Sequence, residues 1–154
     1  MLRLKKLYKK YLKEIVYFVF VAFVLANIVS LYRSYNLKVD DTVCSDGSDV
    51  VYFWATWCKV CKVESTEIER LLPLYKVQSY AVRSGDFDEV AKYLKKERLQ
   101  YGFVADEQGA IAREYNVAVF PTIVVCKEKK VFFVDVGYTS WLTLKVKLLL
   151  RVLW

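Results

Sequence analysis

Val50-Val51-Tyr52-Phe53-Trp54 is an apolar run with no polar position inside it. Successive side chains of a strand point to opposite faces, so this run has to be covered on both. That requires a sheet with packed layers above and below it. After Ala55-Thr56-Trp57 the chain reads Cys58-Lys59-Val60-Cys61, and helical spacing takes over as far as Leu72. Val60, Val63, Ile68, Leu71 and Leu72 can share an inner face, and Pro73 comes just after. Two cysteines three apart thus fall where a buried strand turns into a helix.

The rest of the chain alternates in the same way. Residues 77–82 read as a strand ending in the turn Arg83-Ser84-Gly85-Asp86, and residues 87–99 as a helix with Val90, Ala91 and Leu94 at helical spacing. Residues 101–104 read as a short strand, and residues 110–115 as a short helix after the turn Asp106-Glu107-Gln108-Gly109. Pro121 opens a strand over residues 122–126, and a charged turn leads to another over residues 131–136, stopped by Gly137. Ser140 is a good N-cap for a last helix, residues 141–153. Its Trp141, Leu144, Leu148 and Val152 share a face that Leu142, Val146, Leu149 and Leu153 widen; packing on the sheet is the expected use and contact with a bilayer the alternative. Helical crossovers give parallel strands and a tight turn gives an antiparallel pair. The expected fold is α/β, a mixed sheet with helices on both faces.

Charge and composition remove several chemistries. The net charge is +7, but six basic residues (Arg3, Lys5, Lys6, Lys9, Lys10, Lys13) precede Glu14, and the remainder is nearly balanced. The basicity is terminal, so no nucleic-acid-binding face is indicated. Histidine is absent, which excludes His-ligated metals, Ser-His-Asp hydrolysis and Cys-His proteolysis. The single methionine is residue 1, so a Met-rich copper site is excluded too. No cofactor is expected, and the chemistry falls to four cysteines.

Residues 15–32 carry no charge over 18 positions, roughly 27 Å as a helix. With the basic cluster before it, this run reads as a single-pass inner-membrane anchor. Residues 1–14 are then a cytoplasmic basic N-terminus, residues 33–48 a tether rich in turn formers, and residues 49–154 a folded domain in the periplasm, where disulfides persist. Leu37-Lys38-Val39 reads as a short edge strand. Two further readings of the apolar run stand beside the anchor: a signal peptide cleaved near Val24-Leu25-Ala26, and a buried core helix.

At the start of a helix Cys58 faces backbone N–H groups and the positive end of the helix dipole, which favour a thiolate. Cys61, one turn on, is close enough to close a disulfide with it, so Cys58 can attack a partner disulfide and Cys61 can resolve the mixed one. The charge of Lys59 between them further favours the thiolate. Three uses of the pair compete with redox exchange. A zinc site needs two more ligands, which have to be Cys44 and Cys126 or carboxylates. Cu(I) could sit on the two thiolates alone. A purely structural disulfide is the third.

Phe53-Trp54-Ala55-Thr56-Trp57-Cys58, closed by Cys61, strongly resembles the active-site run of the thioredoxin superfamily. Val119-Phe120-Pro121-Thr122 resembles its cis-proline segment, and Gly137 its late glycine. The helix and short strand between Asp86 and Asp106 are similar to an insertion in the membrane-anchored TlpA-like branch, which includes cytochrome c maturation thioredoxins. Arg83-Ser84-Gly85-Asp86 and Gly137-Tyr138-Thr139-Ser140-Trp141 resemble the suppressor-for-copper-sensitivity group of that branch. The resemblance covers about residues 49–154 and the anchor.

It implies a thioredoxin-like fold with Cys58 as attacking and Cys61 as resolving thiol. Trp57 would shield the sulfur pair, and Pro121, if cis, would hold the Phe120 backbone beside Cys58 for a substrate segment. Phe53 and Trp54 are expected in the core. There are departures: Tyr52 stands where thioredoxin has a buried acid, Phe120 is bulky for its position, and Lys59-Val60 replaces Gly-Pro. Glu64 is either a solvated helix residue, the commoner fate, or the carboxylate that serves instead. In the implied sheet, Cys44 precedes one strand and Cys126 ends its antiparallel neighbour, so a second disulfide is expected; the alternative is a buried Cys126 thiol and a free Cys44. The implied function is a protein thiol-disulfide oxidoreductase, a reductase in copper tolerance. Its partners would be periplasmic thiol/disulfide proteins and a membrane electron-transfer protein supplying reductant. Two rival functions are a reductase of apocytochrome c thiols and a membrane-tethered Cu(I)-binding module.

Overall fold

The computed structural model describes residues 11–21, 24–25 and 38–153. The chain divides into two compact units, Met1–Arg33 and Ser34–Trp154. In the first, residues 11–21 form helix α1 and residues 24–25 are also helical. Six consecutive apolar side chains of α1, Ile15 to Phe20, are each at least 59% exposed. Among the described residues no helix is long and apolar enough to cross a membrane. Much of the uncharged run 15–32, most of the basic cluster before it, and Leu37 lie outside the described residues.

The second unit is built on one five-stranded sheet, ordered β3-β2-β1-β4-β5. The strands are β1 (Val50–Trp54), β2 (Val77–Val82), β3 (Val104–Asp106), β4 (Thr122–Lys127) and β5 (Lys130–Val136). The helices are α2 (Lys59–Glu69), α3 (Phe87–Glu97), α4 (Ala110–Glu114) and α5 (Trp141–Leu153). β1, β2 and β3 run parallel because a helical segment returns the chain each time; β4 is antiparallel to β1, and β5 to β4.

All five residues of β1 are fully buried. Val50, Tyr52 and Trp54 enter one cluster with Ile68 of α2, Val90 and Leu94 of α3, and Leu144 and Leu148 of α5. Val51 and Phe53 enter the other, with Ala112 of α4, Val117, Val124, Cys126, Val43 and Cys44. The period-2 alternation of a strand thus feeds two cores, and helices cover both faces.

Some elements depart from the sequence reading. The third strand begins at Val104 rather than Tyr101, because the Tyr101 side chain is buried against Tyr52 and Trp54 and only the later residues pair with β2. Val60 and Val63 are 45% and 56% exposed, so they do not join the inner face; the buried residues of α2 are Cys61, Glu64, Ser65, Glu67 and Ile68. Lys38 and Val39 are not in a strand. A 3₁₀ turn, Asp41–Cys44, follows them, capped by Asp40, and Asp41 accepts the backbone N–H of Val131 at 2.8 Å. On α5, Leu142, Val146, Leu149 and Val152 are exposed, and Leu144 and Leu148 carry the packing.

Cys44 and Cys126 are joined by a disulfide, with Cα atoms 5.7 Å apart across 82 positions of sequence. A crosslink over so long a loop removes much conformational freedom from the unfolded chain. Replacing both residues with alanine should lower the unfolding free energy by about 4–5 kcal/mol. Urea titration of the two proteins checks this, and coincident transitions contradict it.

Candidate functional site

The end of β1 delivers Ala55-Thr56-Trp57 to a loop tied to the end of β2. Thr56 N–H donates to Ser84 Oγ at 3.0 Å, and that hydroxyl donates to Val82 O at 3.0 Å. The Trp57 indole N–H donates to Arg83 O at 2.9 Å. Behind this turn Asp86 and Glu89 form the capping box that starts α3. Gly85, with φ +94°, leaves room for the Glu89 carboxylate, which a Cβ would strike.

Cys58 is the N-cap of α2, and its Sγ accepts the Cys61 backbone N–H at 3.1 Å. The two cysteines form a disulfide with Cα atoms 5.2 Å apart. Cys58 is 9% exposed and Cys61 1%. On reduction, the N–H that touches Cys58 Sγ, together with the helix dipole, favours a thiolate there and not at the buried Cys61. The Cys61 carbonyl accepts hydrogen bonds from Ser65 Oγ at 2.8 Å and Tyr52 O–H at 3.2 Å, and Tyr101 OH lies 2.9 Å from Ser65 Oγ. Burial, then the neighbouring Tyr101, pushes the Tyr52 phenol above its ordinary range, so it stays a donor. The sequence reading missed these hydroxyls; the signal was a polar ring at the family's acid position and a serine one turn after Cys61.

Glu64 is not solvated. It is fully buried, one helical turn from Cys61. Its Oε2 accepts the Thr139 N–H at 2.9 Å, and Oε1 has no partner among the described residues. Burial pushes its pKa up to about 8 against the pull of the Thr139 N–H, and Glu67 and Asp135 push it the same way. The carboxyl therefore holds its proton well above the ordinary carboxylate range, one helical turn from the more buried cysteine.

On the other side of the sulfur pair, Phe53 pairs with Thr122, which sets the start of β4 beside the end of β1. The Phe120–Pro121 peptide is cis, and Pro121 is buried. The Phe120 ring meets Trp57 edge-on, with centroids 6.1 Å apart. Trp57 is 60% exposed. Lys59, Val60, Val63 and Tyr138 line a shallow pocket of about 240 Å³. Cys58, Cys61, Trp57, Lys59, Phe120 and Pro121 therefore gather at one end of the sheet. Cys126 lies at the far end of β4 in its own disulfide, so Cys44 and Cys126 cannot complete a metal site with Cys58 and Cys61.

The profile of the AhpC/TSA family matches residues 34–137. The chain is 39% identical over 100 residues to a thioredoxin-like protein of Haemophilus influenzae, a match covering 64% of this chain and 60% of that protein. It is 34% identical over 74 residues to the thiol-disulfide oxidoreductase ResA of Geobacillus kaustophilus, covering 46% of this chain and 42% of ResA. The match thus spans less than two thirds of either relative. The structure of StoA from Bacillus subtilis superposes with a TM-score of 0.57 at 22% identity, over 65% of this chain and 81% of that one; it shares the fold.

Two outcomes follow from this geometry. In the reduced protein, iodoacetamide near neutrality should modify Cys58 well before Cys61, read by peptide mass mapping; equal labelling contradicts the assignment. The folded protein keeps the Glu64 proton where the unfolded chain has lost it. Between about pH 4.5 and 8 the native state therefore binds more protons, and stability should fall as pH rises through that window. Thermal melts of wild type and Glu64→Gln test this, and the variant should lack the decline.

Proposed function

The chain belongs to the AhpC/TSA family, and on that premise we propose that it is a thiol-disulfide oxidoreductase acting on protein disulfides through Cys58 and Cys61. The observation that carries this reading is the Cys58 sulfur at the N-cap of α2, bonded by the Cys61 N–H, with Cys61 sealed behind it. In the reduced enzyme the Cys58 thiolate attacks one sulfur of a partner disulfide. That bond breaks, the Cys58–partner disulfide forms, and the departing partner thiolate takes up a proton. Cys61 then gives up its proton, attacks Cys58 Sγ, and releases the second partner thiol. Two electrons have passed to the partner, and Cys58–Cys61 is oxidised.

Glu64, one turn from Cys61, is the group placed to exchange a proton with the resolving thiol. Its raised pKa lets it do so near neutrality. Trp57, Phe120 and Pro121 form the wall against which the partner segment lies, and Lys59 adds positive charge at its rim. Tyr52, Ser65 and Tyr101 hold the Cys61 carbonyl and so position the first turn of α2.

The same reading places the domain outside the inner membrane, held by residues 15–32 with the N-terminus in the cytoplasm. The uncharged run, the preceding basic cluster and the exposed side chains of Ile15 to Phe20 support it. A membrane electron-transfer protein would then return electrons to Cys58–Cys61, and the enzyme would work as a reductase. The likeness to copper-tolerance proteins rests on Arg83-Ser84-Gly85-Asp86, the turn that receives the Trp57 loop, and on Gly137-Tyr138-Thr139-Ser140-Trp141, whose Thr139 N–H meets Glu64. That likeness supports a role in restoring thiols misoxidised under metal stress.

Insulin-disulfide reduction driven by dithiothreitol tests the activity. Cys58→Ser should lower the rate by at least about a hundredfold, and Cys61→Ser should trap a mixed disulfide visible on non-reducing gels. Equal rates for wild type and Cys58→Ser would end the proposal.

A further inference from the structure

Past the end of β2 lies a cavity of about 340 Å³ between Arg83, the α4 segment and Phe120. Its walls are apolar at Val82, Val117 and Phe120, its polar lining is Arg83, Arg113 and Asn116, and no acid among the described residues lines it. We propose that this cavity is a subsite for an acidic side chain carried by the disulfide-bearing segment of the partner, with Arg83 and Arg113 receiving its carboxylate. The proposal rests on the activity above and names the class of partner sequence that activity selects.

Both arginines are free to act. Among the described residues neither has a carboxylate within ion-pair distance. Arg113 donates one N–H, from Nη1, to Gln108 O at 2.8 Å and keeps further donors. Arg83 is fixed at its backbone: its N–H donates to Asp106 O at 2.9 Å, and its carbonyl accepts the Trp57 indole. Its side chain lies across Gly109, where a Cβ would come within 2.9 Å of Arg83 Nε. The nearby acid Asp106 is buried and turned inward, accepting the N–H groups of Ile111 and Ala112 at 3.2 and 2.9 Å. It therefore leaves the arginines unneutralised.

The cavity is coupled to Trp57, the residue before Cys58, through two contacts. Phe120 lines it and packs edge-on against Trp57, and Arg83 holds the Trp57 indole. A segment lying along Trp57 and Phe120 with its cysteine at Cys58 passes the mouth of the cavity. Apolar walls suit the methylenes of a glutamate or aspartate, and a guanidinium fork suits the carboxylate at their end.

The test uses the full-length reduced protein and short peptides, each with one internal disulfide and blocked termini, differing only in Glu, Gln or Lys beside the cysteines. The Glu peptide should be reduced about three- to tenfold faster than the Gln peptide at low ionic strength, and the Lys peptide more slowly than either. Raising salt should compress the series. Arg83→Gln and Arg113→Gln should each shrink the Glu-to-Gln ratio. A fourth peptide, Gln-flanked with a free C-terminus, asks whether a terminal carboxylate is what enters. Equal rates across the wild-type series overturn the subsite, whatever the variants do. So does a Glu preference that survives in the double variant, or an acceleration found only with the free C-terminus. Reduction of no peptide, with insulin also untouched, removes the parent activity; reduction of insulin but of no peptide removes the subsite alone.

Discussion

Burial of β1 on both faces governs where everything else in the domain can lie. Its five side chains are sealed between two cores, so the strand is fixed in the middle of the sheet with β2 and β4 as neighbours. Parallel pairing with β2 brings the end of that strand, and the Arg83 turn, to the end of β1. Antiparallel pairing with β4 brings Phe120 and Pro121 to the same end from the other side. The one route out of β1 runs between these walls and into the N-terminus of α2, where Cys58 sits. This is the general place for a site in an open α/β sheet, outside the carboxyl end of a central strand.

The same packing makes one acid expensive. Glu64 lies on the buried face of α2, and its carboxylate has one backbone donor and one oxygen without a partner among the described residues. Asp135, also buried, pairs with Lys147 rather than with Glu64, so it repels a Glu64 charge instead of relieving it. A carboxyl so placed holds its proton near neutrality and costs stability where it must ionise. Locally unfavourable groups of this kind concentrate at reactive sites. Here the group lies one helical turn from the thiol that loses its proton in the proposed exchange.

Much of the fold was legible because its signals are local. The apolar run of β1, the turn Arg83-Ser84-Gly85-Asp86 before α3, the Ser140 start of α5 and the charged turn between β4 and β5 each mark an element within a few residues. Cys58-Lys59-Val60-Cys61 after a buried strand likewise located the disulfide pair at the start of α2. The reading failed where one apolar pattern serves two purposes. On α2, Ile68 faces the core while Val60 and Val63 face outward, and a 3.6-residue period does not separate a core stripe from an exposed apolar one. It failed for Glu64 because a glutamate between Lys62 and Thr66 has the composition of a solvated turn, and only the approach of the Thr139 segment closes that face.

Alternation, helix spacing and the position of the cysteines are properties of neighbouring residues, so the chain by itself determined a mixed α/β sheet with a dithiol at a helix start. The acidity of Glu64, the hydroxyl cluster at the Cys61 carbonyl and the pairing of Arg83 with Arg113 around one cavity join residues 30 to 75 positions apart or draw on several elements at once. Those were decided by tertiary structure alone, because desolvation and electrostatic coupling depend on what surrounds a group in space, and a sequence pattern records only what surrounds it along the chain.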